Sequence, residues 1–149
     1  RVQLVVIGTG EEKYEWFLRG LQERFGRQVS VNLCFSADLA NLVYAASDLY
    51  LMPSKSEPCG LSQLMAMRFG AVPVVNATGG LKDTVPAYEG PESEGRGFTF
   101  QSYNALALYY DAPAQWQELV RHDMSQDFGW DKGAEHYMAL YHKALGDKA

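Results

Sequence analysis

A single carboxylate stands in a turn rich in glycine, proline and hydroxyl residues, at residues 53–64, which read PSKSEPCGLSQL. Pro58 holds Glu57 in an extended conformation, because a proline ring disfavours helical backbone in the residue before it. Gly60 then allows the backbone to turn closely into a helix. We therefore expect the Glu57 carboxylate to lie at a defined place beside the start of a helix.

The first amides of that helix offer a second chemical group. The NH groups of Gly60, Leu61 and Ser62 precede the first helical hydrogen bonds, so they can bind an anion such as a phosphate. The Ser62 hydroxyl can add a donor. This arrangement suits a donor that carries a diphosphate next to a carbon that becomes cationic. A capped turn with a solvated Glu57 is equally compatible with the spacing.

Another glycine turn follows a later strand. Residues 76–84 read NATGGLKDT, so Gly79 and Gly80 come shortly after an apolar run. Paired glycines there either allow a ligand to approach the backbone or simply make the turn. The spacing favours neither alternative.

Two weaker candidates, Gly8 and Phe35, follow earlier strands. The turn at residues 8–13 reads GTGEEK, so Lys13 replaces the third glycine of a dinucleotide-binding fingerprint. The next strand, at residues 29–35, lacks the acidic residue of that fingerprint, so NAD or FAD binding is disfavoured. Gly8 either lines a ligand pocket or makes an ordinary turn. Phe35 either stacks on a base or packs in the core, and its type and position alone favour the core.

Short apolar runs alternate with longer amphipathic ones, and these elements must position the turns. This alternation predicts a doubly wound, Rossmann-like parallel sheet, in which ligands bind at the carboxyl ends of the strands. The first strand has the continuous apolar pattern of burial on both faces. An apolar stripe in the tail, residues 130–145, predicts a helix packed on the core. We predict strands at residues 2–7, 29–35, 48–52, 71–75 and 97–100, helices at 11–25, 36–46 and 60–69, and a loop at 86–96.

Composition excludes several other classes of protein. The 149 residues suit one domain, with 47% hydrophobic and 21% charged residues and a net charge of −5. The scattered basic residues disfavour a nucleic-acid partner, and no apolar run is long enough for a membrane span. Two cysteines, Cys34 and Cys59, make no disulfide framework, and the three histidines lack metal-ligand spacing. We expect no metal site and no cofactor.

Two of the turns together resemble the signatures of starch and glycogen synthases, a family of retaining glucosyltransferases. The first is the turn at residues 53–64, and the second, at residues 78–85, reads TGGLKDTV. Residues 66–70, AMRFG, fit between them. Residues 124–130, MSQDFGW, resemble the soluble starch synthases of plants and algae. The resemblance covers essentially the whole chain.

The resemblance implies two facing Rossmann-like domains, the GT-B architecture, with this chain as most of the C-terminal, nucleotide-sugar-binding domain. It implies transfer of glucose from ADP-glucose to the 4-hydroxyl at the non-reducing end of an α-1,4-glucan, with retention. The implied location is the plastid stroma or the bacterial cytoplasm. Two alternatives stay open: a non-catalytic module that binds a nucleotide sugar, and a related transferase that uses a UDP-sugar.

Carried over by position, the resemblance gives each candidate residue a role. Glu57 faces the donor glucose and stabilises an oxocarbenium-like transition state. Phe35 lies against the adenine, and Gly8 lines the same pocket. The remaining candidates are the diphosphate-binding group Cys59, Gly60, Leu61 and Ser62, and a possible donor loop of Thr78, Gly79 and Gly80.

The chain departs from the family pattern in three places. Lys55 and Ser56 stand where the family usually has Arg and Phe, and the stretch from Tyr103 to Trp116 is about a helix shorter. The chain also begins at what would be the second strand of the domain. The preceding strand, with an Arg and a Lys that neutralise the diphosphate, and the acceptor-binding domain are therefore expected elsewhere. We expect a piece of a longer enzyme that is inactive by itself.

Overall fold

The computed structural model describes residues 2–100, 105–127, 129, 134, 135 and 138. The chain divides into two compact units, Arg1–Ala46 and Ser47–Ala149. Phe128 and Trp130 of the tail motif, and most of the helical stripe expected beyond them, lie outside the described residues.

The first unit alternates strands and helices. Strands β1 (Leu4–Ile7) and β2 (Val29–Asn32) pair in parallel, with Leu4 opposite Val29 and Ile7 opposite Asn32. The Leu39 amide donates to the Ser36 hydroxyl at 3.2 Å, so Ser36 caps the start of the second helix. The elements are β1 (Leu4–Ile7), α1 (Glu12–Phe25), β2 (Val29–Asn32) and α2 (Ala37–Ala46).

Burial in the first unit is lower than the sequence predicts. Val5 of β1 is 44% exposed, and no described residue of this unit is buried. The prediction that the first strand is buried on both faces is therefore wrong. The strand pairs with β2, but side chains along its continuous apolar sequence remain accessible to solvent.

The second unit contains a three-stranded parallel sheet with the order β3-β4-β5. Met52 lies opposite Val75, and Val75 opposite Thr99. Helix α5 occupies the stretch that was expected to be short. The elements are β3 (Leu49–Met52), α3 (Ser62–Arg68), β4 (Val72–Val75), α4 (Gly80–Thr84), β5 (Phe98–Thr99), α5 (Ala105–Asp111) and α6 (Pro113–Ser125).

The central strand β4 contributes to two buried clusters. Val72 packs with the cluster of Phe98, Ala105, Trp116 and Leu119. Val75, three residues later and therefore on the opposite face of the strand, packs with Met67, Leu81 and Val85. The second cluster anchors α3 and α4, the two helices that follow the signature turns.

One carboxylate is buried on α6. Asp123 is 1% exposed, and neither of its side-chain oxygens has a hydrogen-bond partner among the residues that the structure describes. Burial raises the pKa of this carboxyl to about 8, and the Arg96 guanidinium opposes that rise. Asp123 is therefore largely protonated in the folded protein at neutral pH.

Across the described residues, no helix is long and apolar enough to cross a membrane.

Candidate active site

The Glu57 turn connects β3 to α3 and is fastened to the end of β4. The Asn76 amide donates to the carbonyl of Met52 at 3.1 Å. The Asn76 side-chain nitrogen donates to the carbonyl of Ser54 at 2.9 Å. Because β3 and β4 are parallel neighbours, their carboxyl ends carry the two glycine turns side by side, as a doubly wound sheet requires.

Glu57 is half-buried, between the end of β3 and the start of α3. In the part of the chain that the structure describes, its carboxylate accepts no hydrogen bond and forms no ion pair. Its backbone carbonyl, by contrast, accepts a hydrogen bond from the Gly80 amide at 2.9 Å. The backbone is thus fixed while the carboxylate keeps its capacity to interact with a ligand.

The paired glycines allow one turn to pack against the other. A Cβ atom at Gly79 would lie 2.1 Å from the carbonyl oxygen of Glu57, and one at Gly80 would lie 2.3 Å from that of Cys59. Gly79 also has a φ of +49°, a conformation that L side chains rarely adopt. The close approach that the sequence left open is therefore an approach between two backbone segments of the protein.

Thr78 forms the entry to α4. Its amide donates to the carbonyl of Asn76 at 2.7 Å, and its own carbonyl accepts from the Leu81 amide at 3.1 Å. Thr78, Gly79 and Gly80 therefore make one tight turn directly beside Glu57.

The helix after Glu57 begins at Ser62, two residues later than predicted. Within the described residues, the amides of Gly60, Leu61 and Ser62 donate no hydrogen bond. The Ser62 hydroxyl contacts the sulfur of Met52 at 3.5 Å. Cys59 is exposed, and Leu61 is 62% exposed. Gly60 itself is buried, and Ser62 is half-buried.

A buried glutamine beneath this turn was not singled out from the sequence. Gln63 is 0% exposed, and its side-chain nitrogen donates to the carbonyl of Gly60 at 2.8 Å and to the hydroxyl of Thr84 at 3.0 Å. Gly60 has a φ of +69°, and a Cβ there would lie 2.6 Å from the Gln63 side-chain oxygen. The sequence signal that could have identified Gln63 is a polar residue shortly after Gly60, at a position of α3 where the helix pattern expects an apolar one.

The other two candidates belong to the first unit. Gly8 has a φ of +144°, and its amide donates to the carbonyl of Asn32 at 3.1 Å. Phe35 is 95% exposed. The alternative that Phe35 packs in the core is therefore wrong, because almost its whole ring is accessible.

The described residues bring no metal-binding cluster together. No group of three or more His, Cys, Asp or Glu side chains there could hold a metal ion. The ring of His122 lies 3.4 Å from the side-chain nitrogen of Gln126.

The family model described as "Glycosyl transferases group 1" matches residues 1–111. The chain belongs to the group 1 glycosyl transferases. This match spans both signature turns and all the site candidates.

The resemblance to starch and glycogen synthases is confirmed by similar proteins. A glycogen synthase of Clostridium beijerinckii is 44% identical over 154 residues, which cover 97% of this chain and 32% of that protein. The catalytic domain of starch synthase IV from Arabidopsis thaliana, solved with ADP and acarbose, superposes with a TM-score of 0.82 and 32% identity. That superposition covers 97% of this chain and 32% of the other.

A more distant structure shares the fold. Anabaena Alr3699/HepE, solved with UDP-glucose, superposes with a TM-score of 0.68 and 22% identity. That superposition covers 95% of this chain and 41% of the Anabaena chain. The mixed α/β fold with parallel sheets is thus that of GT-B glycosyltransferases. The chain spans about a third of the length of the C. beijerinckii glycogen synthase.

Proposed function

We propose that this group 1 chain is the donor-binding part of a retaining glucosyltransferase. The reaction transfers glucose from ADP-glucose to the non-reducing end of an α-1,4-glucan. One observation carries the proposal: among the described residues, the Glu57 carboxylate and the amides of Gly60, Leu61 and Ser62 on the same turn have no hydrogen-bond partner, and this turn is locked against the Gly79–Gly80 turn. In this proposal the chain is part of a C-terminal domain, and the glucan binds a second domain.

Glu57 acts on the sugar. Transfer with retention develops positive charge at the anomeric carbon, and a fixed carboxylate lowers the energy of that charge most in the transition state. The half-burial of Glu57 limits competing solvation by water, and its backbone hydrogen bond to Gly80 limits reorganisation. Glu57 is therefore the catalytic residue of the proposal.

The turn after Glu57 acts on the diphosphate. The amides of Gly60, Leu61 and Ser62 donate to phosphate oxygens, with Cys59 at the entrance. These amides donate to no other described residue, so binding an anion breaks no hydrogen bond seen in that part of the chain. The loop of Thr78, Gly79 and Gly80 completes the donor site.

The first unit acts on the nucleoside. Phe35 exposes nearly its whole ring, which suits stacking on adenine, and Gly8 lets the backbone approach the same ligand. The structure of the starch synthase IV catalytic domain, solved with ADP, supports an adenine nucleotide. We propose the bacterial cytoplasm or the plastid stroma as the location of the reaction, as the resemblance to glycogen and starch synthases implies.

A chimera tests the proposal. This chain would replace the corresponding third of the C. beijerinckii glycogen synthase, and glucose incorporation into glycogen would be measured with ADP-glucose and with UDP-glucose. We expect elongation with ADP-glucose and competition by ADP at concentrations where UDP has little effect. Binding of ADP-glucose by the chain without elongation by the chimera would favour a non-catalytic module. Preference for UDP-glucose would favour a UDP-dependent transferase.

A further inference from the structure

A closed set of hydrogen bonds joins the two signature turns. The Gln63 side-chain nitrogen donates to the carbonyl of Gly60 at 2.8 Å and to the Thr84 hydroxyl at 3.0 Å. The Thr84 hydroxyl donates to the carbonyl of Gly80 at 2.7 Å, and the Gly80 amide donates to the carbonyl of Glu57 at 2.9 Å. The path therefore leaves the turn at Gly60 and returns to it at Glu57.

Gln63 does more than fill space in the core. Its side-chain oxygen is buried and has no hydrogen-bond partner among the described residues, which lowers stability. A methionine has a similar volume and would leave no such oxygen. The amide nitrogen instead donates to Gly60, to Thr84 and, at 3.4 Å, to the carbonyl of Cys59, and no apolar side chain can make these hydrogen bonds. The buried glutamine therefore fixes geometry at a cost in stability.

Thr84 serves as the relay between the helices. It accepts from Gln63 on α3 and donates to Gly80 at the first turn of its own helix α4. Valine has the same shape as threonine but neither accepts nor donates, whereas serine keeps the hydroxyl. A comparison of the valine and serine substitutions therefore separates the effect of the hydrogen bonds from the effect of packing.

We propose that Gln63 and Thr84 are positioning residues that set the distance between the Glu57 carboxylate and the diphosphate-binding amides. The inference rests on the proposed function. Neither side chain touches the donor; both act through the backbone of the two turns. Displacement of a catalytic group by about 1 Å reduces rates by about a hundredfold, so a network that holds this spacing has a direct effect on transfer.

The test compares Thr84→Val with Thr84→Ser. In the 149-residue chain, we expect Thr84→Val to accelerate exchange of the Gly80 amide and to weaken ADP-glucose binding by about tenfold, while Thr84→Ser stays within about twofold of the original. In the chimera, Thr84→Val should lower kcat more than it raises KM for ADP-glucose. Gln63→Met, which should give the same pattern, provides a second variant if Thr84→Val does not fold.

The outcomes separate this inference from the proposed function. If the unaltered chain binds ADP-glucose and Thr84→Val behaves like Thr84→Ser in exchange, affinity and kcat, the positioning role is overturned and the proposed function stands. If the chimera with the unaltered chain elongates no glucan from ADP-glucose, the proposed function fails. Equal Gly80 exchange in both variants would then overturn the network as well, and faster exchange in Thr84→Val alone would support its structural part.

Discussion

At the residue scale, the least replaceable position beside Glu57 is Gly79. A Cβ there would lie 2.1 Å from the Glu57 carbonyl oxygen, and the φ of +49° disfavours any other residue. Gly79→Ala must therefore displace one of the two turns. We expect it to lower the free energy of unfolding by about 2–4 kcal/mol, measured by urea denaturation.

Gly10→Ala is the matched control for that substitution. Gly10 has no atom within 4 Å of an added Cβ, so the change should stay within about 0.5 kcal/mol. Equal effects of the two substitutions would show that the close approach at Gly79 does not constrain the turn.

Phe35 separates binding from stability. Because its ring is 95% exposed, Phe35→Ala should leave the free energy of unfolding within about 0.5 kcal/mol of the original. Loss of stacking on adenine should weaken ADP binding by about tenfold, measured by calorimetry. Phe17→Ala, at a position 62% exposed on α1, is the control. Unchanged ADP affinity in Phe35→Ala would remove Phe35 from the donor site.

At the scale of elements, most strands and helices were predictable because apolar periodicity and glycine or proline breaks are local signals. Each predicted strand of the described residues is present, although every one is shorter than its apolar run. The burial of the first strand was not predictable, because exposure depends on what packs against β1. The hydrogen bond between Gln63 and Thr84 was also not predictable, since it joins residues that are 21 positions apart.

Helix α6 carries a prediction about pH. The carboxyl of Asp123 has a pKa near its ordinary 3.8 when unfolded and about 8 when folded. Between those values the folded state binds more protons, so the free energy of unfolding falls as the pH rises, by up to about 1.4 kcal/mol per pH unit. Asp123→Asn removes this titration.

Urea denaturation of both proteins from about pH 5 to about pH 8 tests the sign. We expect the stability of the original chain, relative to Asp123→Asn, to decrease steadily over that range. A difference that is constant with pH would mean that burial does not perturb the carboxyl in this way.

At the scale of the whole molecule, the buried residues are distributed unequally between the two units. All the described buried residues belong to the second unit, which holds the Glu57 turn, whereas the first unit presents Phe35 on an accessible surface. The parallel α/β fold was predictable from the alternation of short apolar runs with amphipathic ones, and the family from the resemblance of two short signatures. The contact between the two signature turns was not predictable and is seen only in the structure. The proposed reaction belongs to a protein about three times as long as this chain, as the C. beijerinckii relative is.

Glu57→Gln in the chimera with the C. beijerinckii glycogen synthase tests the central claim most directly. Glutamine keeps the shape of the side chain and removes its charge, so glucan elongation from ADP-glucose should fall by about a hundredfold or more, with ADP affinity nearly unchanged. Glu92→Gln, an exposed position in the loop before β5, should elongate glucan at the original rate. Elongation by Glu57→Gln at the rate of Glu92→Gln would contradict the assignment of Glu57 as the catalytic carboxylate.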